Sequence, residues 1–180
     1  MRKDKLSSRD MVLSAMGTVI IILCSWLNLP TLVPVTMQTF GVILVSLVLG
    51  KRCGIYSLLG YCLLGLAGLP VFAGFKSGAA VLAGPTGGFI IGLFAIPIII
   101  GYFYYKNYEK WMLLALLMGI MIMYISGTLW YVVIYTQGNV GLGSTVSVCI
   151  LPFIIPDLIK CILAMLCAKK IKKSRLLLTR

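Results

Sequence analysis

The sequence predicts an all-α integral membrane protein, a bundle of six transmembrane helices with both termini in the cytoplasm. Three observations carry that expectation. Of 180 residues, 61% are hydrophobic and 11% charged, against roughly half and a quarter in soluble domains. The apolar residues run unbroken over stretches such as 89–105 and 112–124, where a membrane barrel would show short alternating segments. The basic residues gather in the joints between runs and at the chain ends. With lipid as solvent, each lipid-facing segment must satisfy its own backbone groups, and a helix does so.

The spans fall at about 9–28, 37–50, 53–69, 86–105, 111–135 and 146–168, judged against the ~20 apolar residues a crossing needs. Together they make one membrane domain over 1–180, ending in a basic cytoplasmic tail over 169–180. The first span follows Arg2, Lys3, Lys5 and Arg9 as a signal peptide would. No small-residue cleavage site precedes Asn28-Leu29-Pro30, so it reads as an uncleaved membrane helix. Ser7 and Asp10 have the spacing of a capping box that starts it. The second span is short, covering only ~21 Å of a ~30 Å hydrocarbon core. The apolar stretch 29–39 before it contains Pro30 and Pro34 and cannot be a regular helix. Irregular backbone at membrane depth is tolerated only when buried in protein or lining a cavity. The loop from Pro70 to Pro85 is also apolar, with Phe72 and Phe75. Two such loops over a short helix predict a lidded pocket facing outward. The remaining breaks are Lys51-Arg52, Lys106-Asn107 and Gln137-Gly138-Asn139.

Charge sets the orientation. Of the 16 basic residues, all but Lys76 and Lys160 fall at one set of helix ends. An excess of that size places those ends, and both termini, in the cytoplasm. The same distribution excludes nucleic-acid binding as the reason for the net charge of +12. The 6 cysteines show no CxxC spacing and there is no histidine, so neither a metal site nor a disulfide framework is indicated. With no histidine and one acid inside a span, nothing resembles catalytic machinery, and no enzyme or cofactor is expected.

That one acid is Asp157, with Lys160 three residues on and on the same helix face. Charges at bilayer depth cost about 2.5–3.5 kcal/mol each on insertion scales. The pair therefore reads as a ligand site, the plainer reading being mutual neutralisation. Pro152 and Pro156 suggest a helix restarting at Pro156, with Asp157 in its first turn. A second candidate is Gly84-Pro85-Thr86-Gly87-Gly88. With Pro85 as first helical residue, the N–H groups of Thr86, Gly87 and Gly88 would form an anion site. Gly84, Gly88 and Gly92, four apart, fit close helix packing equally well. Trp26, Trp111 and Trp130 read as interface aromatics, with ring stacking on a ligand the lesser alternative for Trp130.

Five segments in order then carry a resemblance. They are Pro34-Val35-Thr36-Met37-Gln38-Thr39-Phe40-Gly41, Gly65-Leu66-Ala67-Gly68-Leu69-Pro70-Val71-Phe72-Ala73-Gly74, Gly84-Pro85-Thr86-Gly87-Gly88, Gly127-Thr128-Leu129-Trp130, and Leu151-Pro152-Phe153-Ile154-Ile155-Pro156-Asp157-Leu158-Ile159-Lys160. Over about 9–168 the chain resembles the BioY family, the biotin-binding S components of energy-coupling factor (ECF) importers. The resemblance implies the S-component helical bundle in the cell membrane, capturing biotin from outside for ATP-driven uptake. Biotin is then a substrate rather than a cofactor. It implies Asp157 and Lys160 as the polar ligand-binding pair. Gln38, Phe72, Gly74, Thr86 and Gly87 would line the same pocket. The implied partners are a membrane coupling protein and two cytoplasmic ATPases. One departure stands out: S components often dock through an alanine-rich small-xxx-small pattern on the first helix, and here its nearest form is Ser14 with Thr18, beside Ala15 and Val19. The competing expectations are an S component for another vitamin and a membrane scaffold without transport.

Overall fold

A computed structural model describes residues 7–29, 34–105 and 109–178. Arg2, Lys3, Lys5, Pro30, the Lys106-Asn107 joint and Arg180 lie outside the described residues. Helix α1 spans Ser8–Trp26, and the expected capping box starts it: the Arg9 N–H donates to Ser7 Oγ, and the Ser7 N–H to Asp10 Oδ2. A two-residue antiparallel pairing follows, Asn28–Leu29 with Val35–Thr36. Helix α2 is Gln38–Leu66, α3 Ala79–Ala83, α4 Gly87–Gly92, α5 Ala95–Tyr105 and α6 Met112–Trp130. A π-helical turn, Tyr131–Tyr135, extends α6, and α7 (Leu142–Cys149) and α8 (Leu151–Leu178) complete the chain. Among the described residues, 5 helical stretches are long and apolar enough to cross a membrane.

The long α2 is where the expected second and third spans meet. Gly50 has φ 88° and ψ 176°, outside the helical region. Residues 46 and 54 would be ~12 Å apart along a continuous helix. Yet a Cβ on Gly54 would lie 2.8 Å from Ser46 Oγ, and one on Gly17 would meet both Ser57 Oγ at 2.2 Å and Val45 Cγ1 at 2.9 Å. The chain therefore folds back at Gly50, one residue before the Lys51-Arg52 pair that marked the boundary in the sequence. A positive φ is open to glycine at little steric cost.

Small residues and hydroxyls join α1 to the α2 hairpin. Thr18 Oγ1 donates to the Ser57 carbonyl at 3.0 Å and Ser57 Oγ to the Ser14 carbonyl at 2.9 Å. Lipid gives helices no hydrophobic reason to associate, so close packing and such bonds must do it. Ser14 and Thr18 are buried here, while Ala15 and Val19 are exposed. The Ser14–Thr18 stripe is thus spent inside the chain and does not face a partner.

Five boundary expectations change. The fourth span is two helices, α4 and α5, parted at Leu93–Phe94. Pro97 explains the break, since it has no N–H for the Leu93 carbonyl; Ile96 N–H takes that acceptor instead, at 3.1 Å. The loop after Pro70 contains helix α3 and a 3₁₀ turn over Ala73–Phe75. Pro85 is not the first helical residue, because Thr86 caps α4 and Pro85 precedes it. Helix α8 does not restart at Pro156 but begins at Leu151 and carries Pro156 inside, so Asp157 lies in its second turn. It also continues through Lys169, Lys170, Lys172 and Lys173, where a separate tail was expected.

Glycines set the α4–α6 contact. A Cβ on Gly88 would lie 2.2 Å from Trp130 Cβ and 2.6 Å from the Ser126 carbonyl oxygen, and one on Gly92 2.6 Å from Met123 Cα. Packing is therefore what Gly88 and Gly92 serve. Gly88→Ala should cost about 1–3 kcal/mol, the usual range for overpacking, read as a lower unfolding temperature in detergent. Gly143→Ala, where a Cβ meets nothing within 4 Å, should leave that temperature unchanged or slightly higher.

Candidate functional site

A cavity of about 640 Å³ lies among α2, α4, α6 and α8 beneath the loop that follows Pro70. Its volume is in the range of small-molecule sites. Thr36, Gln38 and Thr39 line it where α2 begins, and Tyr61 where the hairpin returns. Phe72 through Ser77 form the loop side, and Thr86, Phe89 and Leu93 the α4 side. Met123 and Tyr124 of α6 and Phe153, Asp157 and Lys160 of α8 close it.

The loop is clasped to the bundle by apolar and polar contacts together. The Phe72 ring lies against Gly65, where a Cβ would come within 2.2 Å of it, and meets the Tyr61 ring edge-on at 5.3 Å. Tyr61 in turn shares a hydrogen bond with Ser25 at 3.0 Å. Trp26 Nε1 donates to the Pro70 carbonyl at 2.9 Å, and its ring lies 4.9 Å from that of Phe75. Phe72 N–H donates to the Lys76 carbonyl and Gly78 N–H to that of Gly65, closing the turn.

Charge is concentrated in one place. Asp157 is 2% exposed and Lys160 5%. Lys160 Nζ donates to Asp157 Oδ1 at 2.8 Å, and the Tyr124 hydroxyl donates to Asp157 Oδ2 at 2.6 Å. Two helices therefore hold one carboxylate, each by a different oxygen. Gln38, also on the cavity wall, is buried, and its Nε2 has no hydrogen-bond partner among the described residues. A buried donor without a partner is costly, and this one belongs to a residue that lines a cavity. The wall thus offers an anionic acceptor, an ammonium with N–H groups to spare and a free amide donor. That set suits a small ligand carrying both N–H and carbonyl groups on a compact apolar body.

Six of the seven residues singled out from the sequence meet here: Asp157, Lys160, Gln38, Phe72, Gly74 and Thr86. Gly87 does not. It is buried behind the wall, where a Cβ would fall 1.8 Å from the Leu82 carbonyl oxygen. Its N–H bonds the Gly84 carbonyl at 3.2 Å, so the expected row of free donors before α4 is partly used by the turn itself. Thr86 Oγ1 likewise donates to the Val81 carbonyl. Trp130 is not among the residues lining the cavity, and its Nε1 donates to the Gly84 carbonyl at 3.1 Å. Lys76, outside the pair the only other basic residue away from the basic helix ends, is exposed on the loop lining the cavity. Sequence reasoning missed Tyr124. Its signal was a hydroxyl amid the apolar run of α6, facing no obvious partner in sequence.

The sequence model of the BioY family matches residues 1–176. A protein of Thermotoga maritima named biotin transporter BioY is 37% identical over 167 residues, 92% of this chain and 96% of that one. A probable biotin transporter BioY of Pyrococcus horikoshii is 39% identical over 140 residues, 78% of this chain and 81% of its own. In three dimensions the chain is similar to the crystal structure of the S-component for biotin from an ECF-type ABC transporter. The TM-score is 0.82 at 29% identity, covering 94% of this chain and 95% of that one.

The carboxylate's environment yields a stability test that needs no ligand. Lys160→Met removes the cation bonded to the buried Asp157 and should lower the unfolding temperature in detergent. Breaking a buried pair costs about 3–5 kcal/mol when the remaining charge stays dry. Adding Asp157→Asn to Lys160→Met should recover most of that loss. A double variant no more stable than Lys160→Met alone would show that the loss does not come from leaving the Asp157 charge unpaired.

Proposed function

The chain belongs to the BioY family, and on that premise we propose that it captures biotin outside the cell as the substrate-binding S component of an ECF-type importer. It is a multi-pass protein of the plasma membrane and not an enzyme. One observation carries the ligand assignment: the buried cluster of Asp157, Lys160 and Tyr124, joined by two hydrogen bonds, on the wall of a mostly apolar cavity. Biotin has a ureido ring with two N–H donors and a carbonyl acceptor, an apolar thioether ring and a carboxylate tail. Asp157 suits the ureido donors and Lys160 the carbonyl. Phe72, Phe89 and Phe153 supply apolar surface for the ring system. Gln38 Nε2 gives one more donor, and Lys76 at the exposed side suits the tail carboxylate. Gly74 and Thr86 shape the wall beside it.

Uptake then requires energy from outside this chain, which we assign to a membrane coupling protein and two cytoplasmic ATPases. The single domain crosses the membrane six times if each half of α2 counts as a pass, with both termini in the cytoplasm. Contacts at the basic end favour that arrangement. Lys51 lies against Gly101 of α5. Lys172 of α8 bonds the Tyr104 hydroxyl and sits 4.3 Å from the centre of its ring. Cys53 approaches the Asp10 carbonyl at the start of α1. The cavity, with Lys76, lies toward the opposite helix ends.

Two measurements test the reading. Reporters fused after Lys51, Lys106 and Arg180 should report cytoplasm, and one at Gly138 the outside; a cytoplasmic signal at Gly138 removes the six-pass arrangement. Equilibrium titration with labelled biotin on detergent-purified protein should show Asp157→Asn and Lys160→Ala binding at least ~10-fold more weakly. Charge-assisted hydrogen bonds contribute about 1.5–3 kcal/mol, and 1.4 kcal/mol is a factor of ten. Lys76→Ala should cost less, since water replaces an exposed ion pair. Unchanged affinity in both Asp157→Asn and Lys160→Ala, with folded protein, would place the biotin site elsewhere.

A further inference from the structure

We propose that Tyr124 is a positioning residue of the biotin site, acting through Asp157 rather than as a packing aromatic of α6; the inference rests on the biotin reading above. An aspartate carboxylate rotates broadly about its last torsion, so a lone Asp157 would not present its lone pairs in a fixed direction. Lys160 alone does not fix it. The two residues share one helix, three positions apart, and an ammonium is a rotating point charge without directional fork geometry. Left to itself, it is free to straddle both carboxylate oxygens, and the pair then satisfies itself at the ligand's expense. The Tyr124 hydroxyl prevents this. It comes from a different helix, α6, and takes Oδ2 at 2.6 Å while Lys160 stays on Oδ1 at 2.8 Å. An O–H···O⁻ bond of that length belongs to the strong, directional class. With one donor on each oxygen, the carboxylate plane is set from two sides, and the outstanding lone pairs and ammonium N–H groups are left for the ligand.

Burial makes the arrangement rigid. Tyr124 is 4% exposed, its ring belongs to the hydrophobic core, and it also lines the cavity. A buried tyrosine commonly finds some partner for its hydroxyl, and a backbone carbonyl would satisfy it equally well. The partner it has is the charged group at the centre of the cavity wall.

A double-mutant cycle separates positioning from packing. Tyr124→Phe keeps the ring and removes the hydroxyl, and should weaken biotin binding roughly tenfold, the equivalent of one charge-assisted hydrogen bond. In the Asp157→Asn background the same change should alter affinity by less than about twofold, because its effect runs through the carboxylate; contacts within one network are expected to be non-additive. A packing role predicts an effect that does not depend on the residue at 157; an equal change in both backgrounds overturns the inference, as does wild-type affinity in Tyr124→Phe. A wild-type chain without biotin affinity overturns the biotin reading and this inference together. If Tyr124→Phe does not fold, para-aminophenylalanine at position 124, which keeps a donor, should bind biotin more tightly than para-fluorophenylalanine, which fills the space without one. Equal affinity for the two overturns the inference.

Discussion

A carboxylate in the interior of a lipid-embedded bundle must be bonded on every side, and Asp157 is the group around which this site is arranged. At 2% exposure it is cut off from bulk water, and an unpaired charge at that depth is costly on any scale. Two helices answer that demand: α8 through its own Lys160 and α6 through Tyr124. The solution is not an efficient way to gain stability, because an apolar pair of similar volume commonly serves as well or better. What apolar residues cannot supply is a fixed acceptor and donor on a cavity wall. The polar cluster makes sense as recognition chemistry, and the fold accepts its cost.

The rest of the structure brings walls close enough to enclose that cluster, and it does so by omitting side chains. Gly65 lets the Phe72 ring lie on α2, Gly88 and Gly92 let α4 reach the backbone of α6, and Gly17 lets α1 meet both arms of the α2 hairpin. In lipid these contacts replace the hydrophobic effect as the force between helices. The loop over the cavity is held in the same manner, by Trp26 to Pro70 and Phe75. These contacts add to the loop's own hydrogen bonds, the Phe72–Lys76 turn and helix α3.

Rarity made much of this legible in the sequence. An acid and a base inside an apolar span have few explanations, so Asp157 and Lys160 were visible without coordinates, and so was the helical, lipid-embedded class. Glycine and proline were ambiguous, because one residue type serves several ends. Gly87 sits in a motif where a backbone donor toward a ligand and a close backbone contact look alike, and the structure chooses the contact with Leu82. Pro156 looked like a helix start, yet α8 carries it inside; only neighbouring helices decide whether a membrane helix continues through a proline. Gly50 was hidden beside Lys51 and Arg52, whose charges marked the turn that Gly50 makes. Tyr124 carried only a weak signal, a hydroxyl in an apolar run, since a tyrosine among methionines and isoleucines is usually core, and its partner lies 33 residues away.

Selectivity follows from how few of these groups can adapt. Asp157 is held at both oxygens, Gln38 is buried with its Nε2 unbonded, and the apolar walls are fixed by backbone contacts. A site of fixed polar groups discriminates most strongly against a ligand that leaves one of them unpaired, because the cost is then the full desolvation of that group. An added or missing methylene on the apolar wall costs far less. On the proposed reading, a ligand lacking the ureido N–H and carbonyl pattern would lose more here than one altered in its chain, and the preference among small vitamins would be set at the α6–α8 face rather than at the loop. On that reading the cavity's apolar volume limits which shapes enter, and the cluster of Tyr124, Asp157 and Lys160 decides which of them stay.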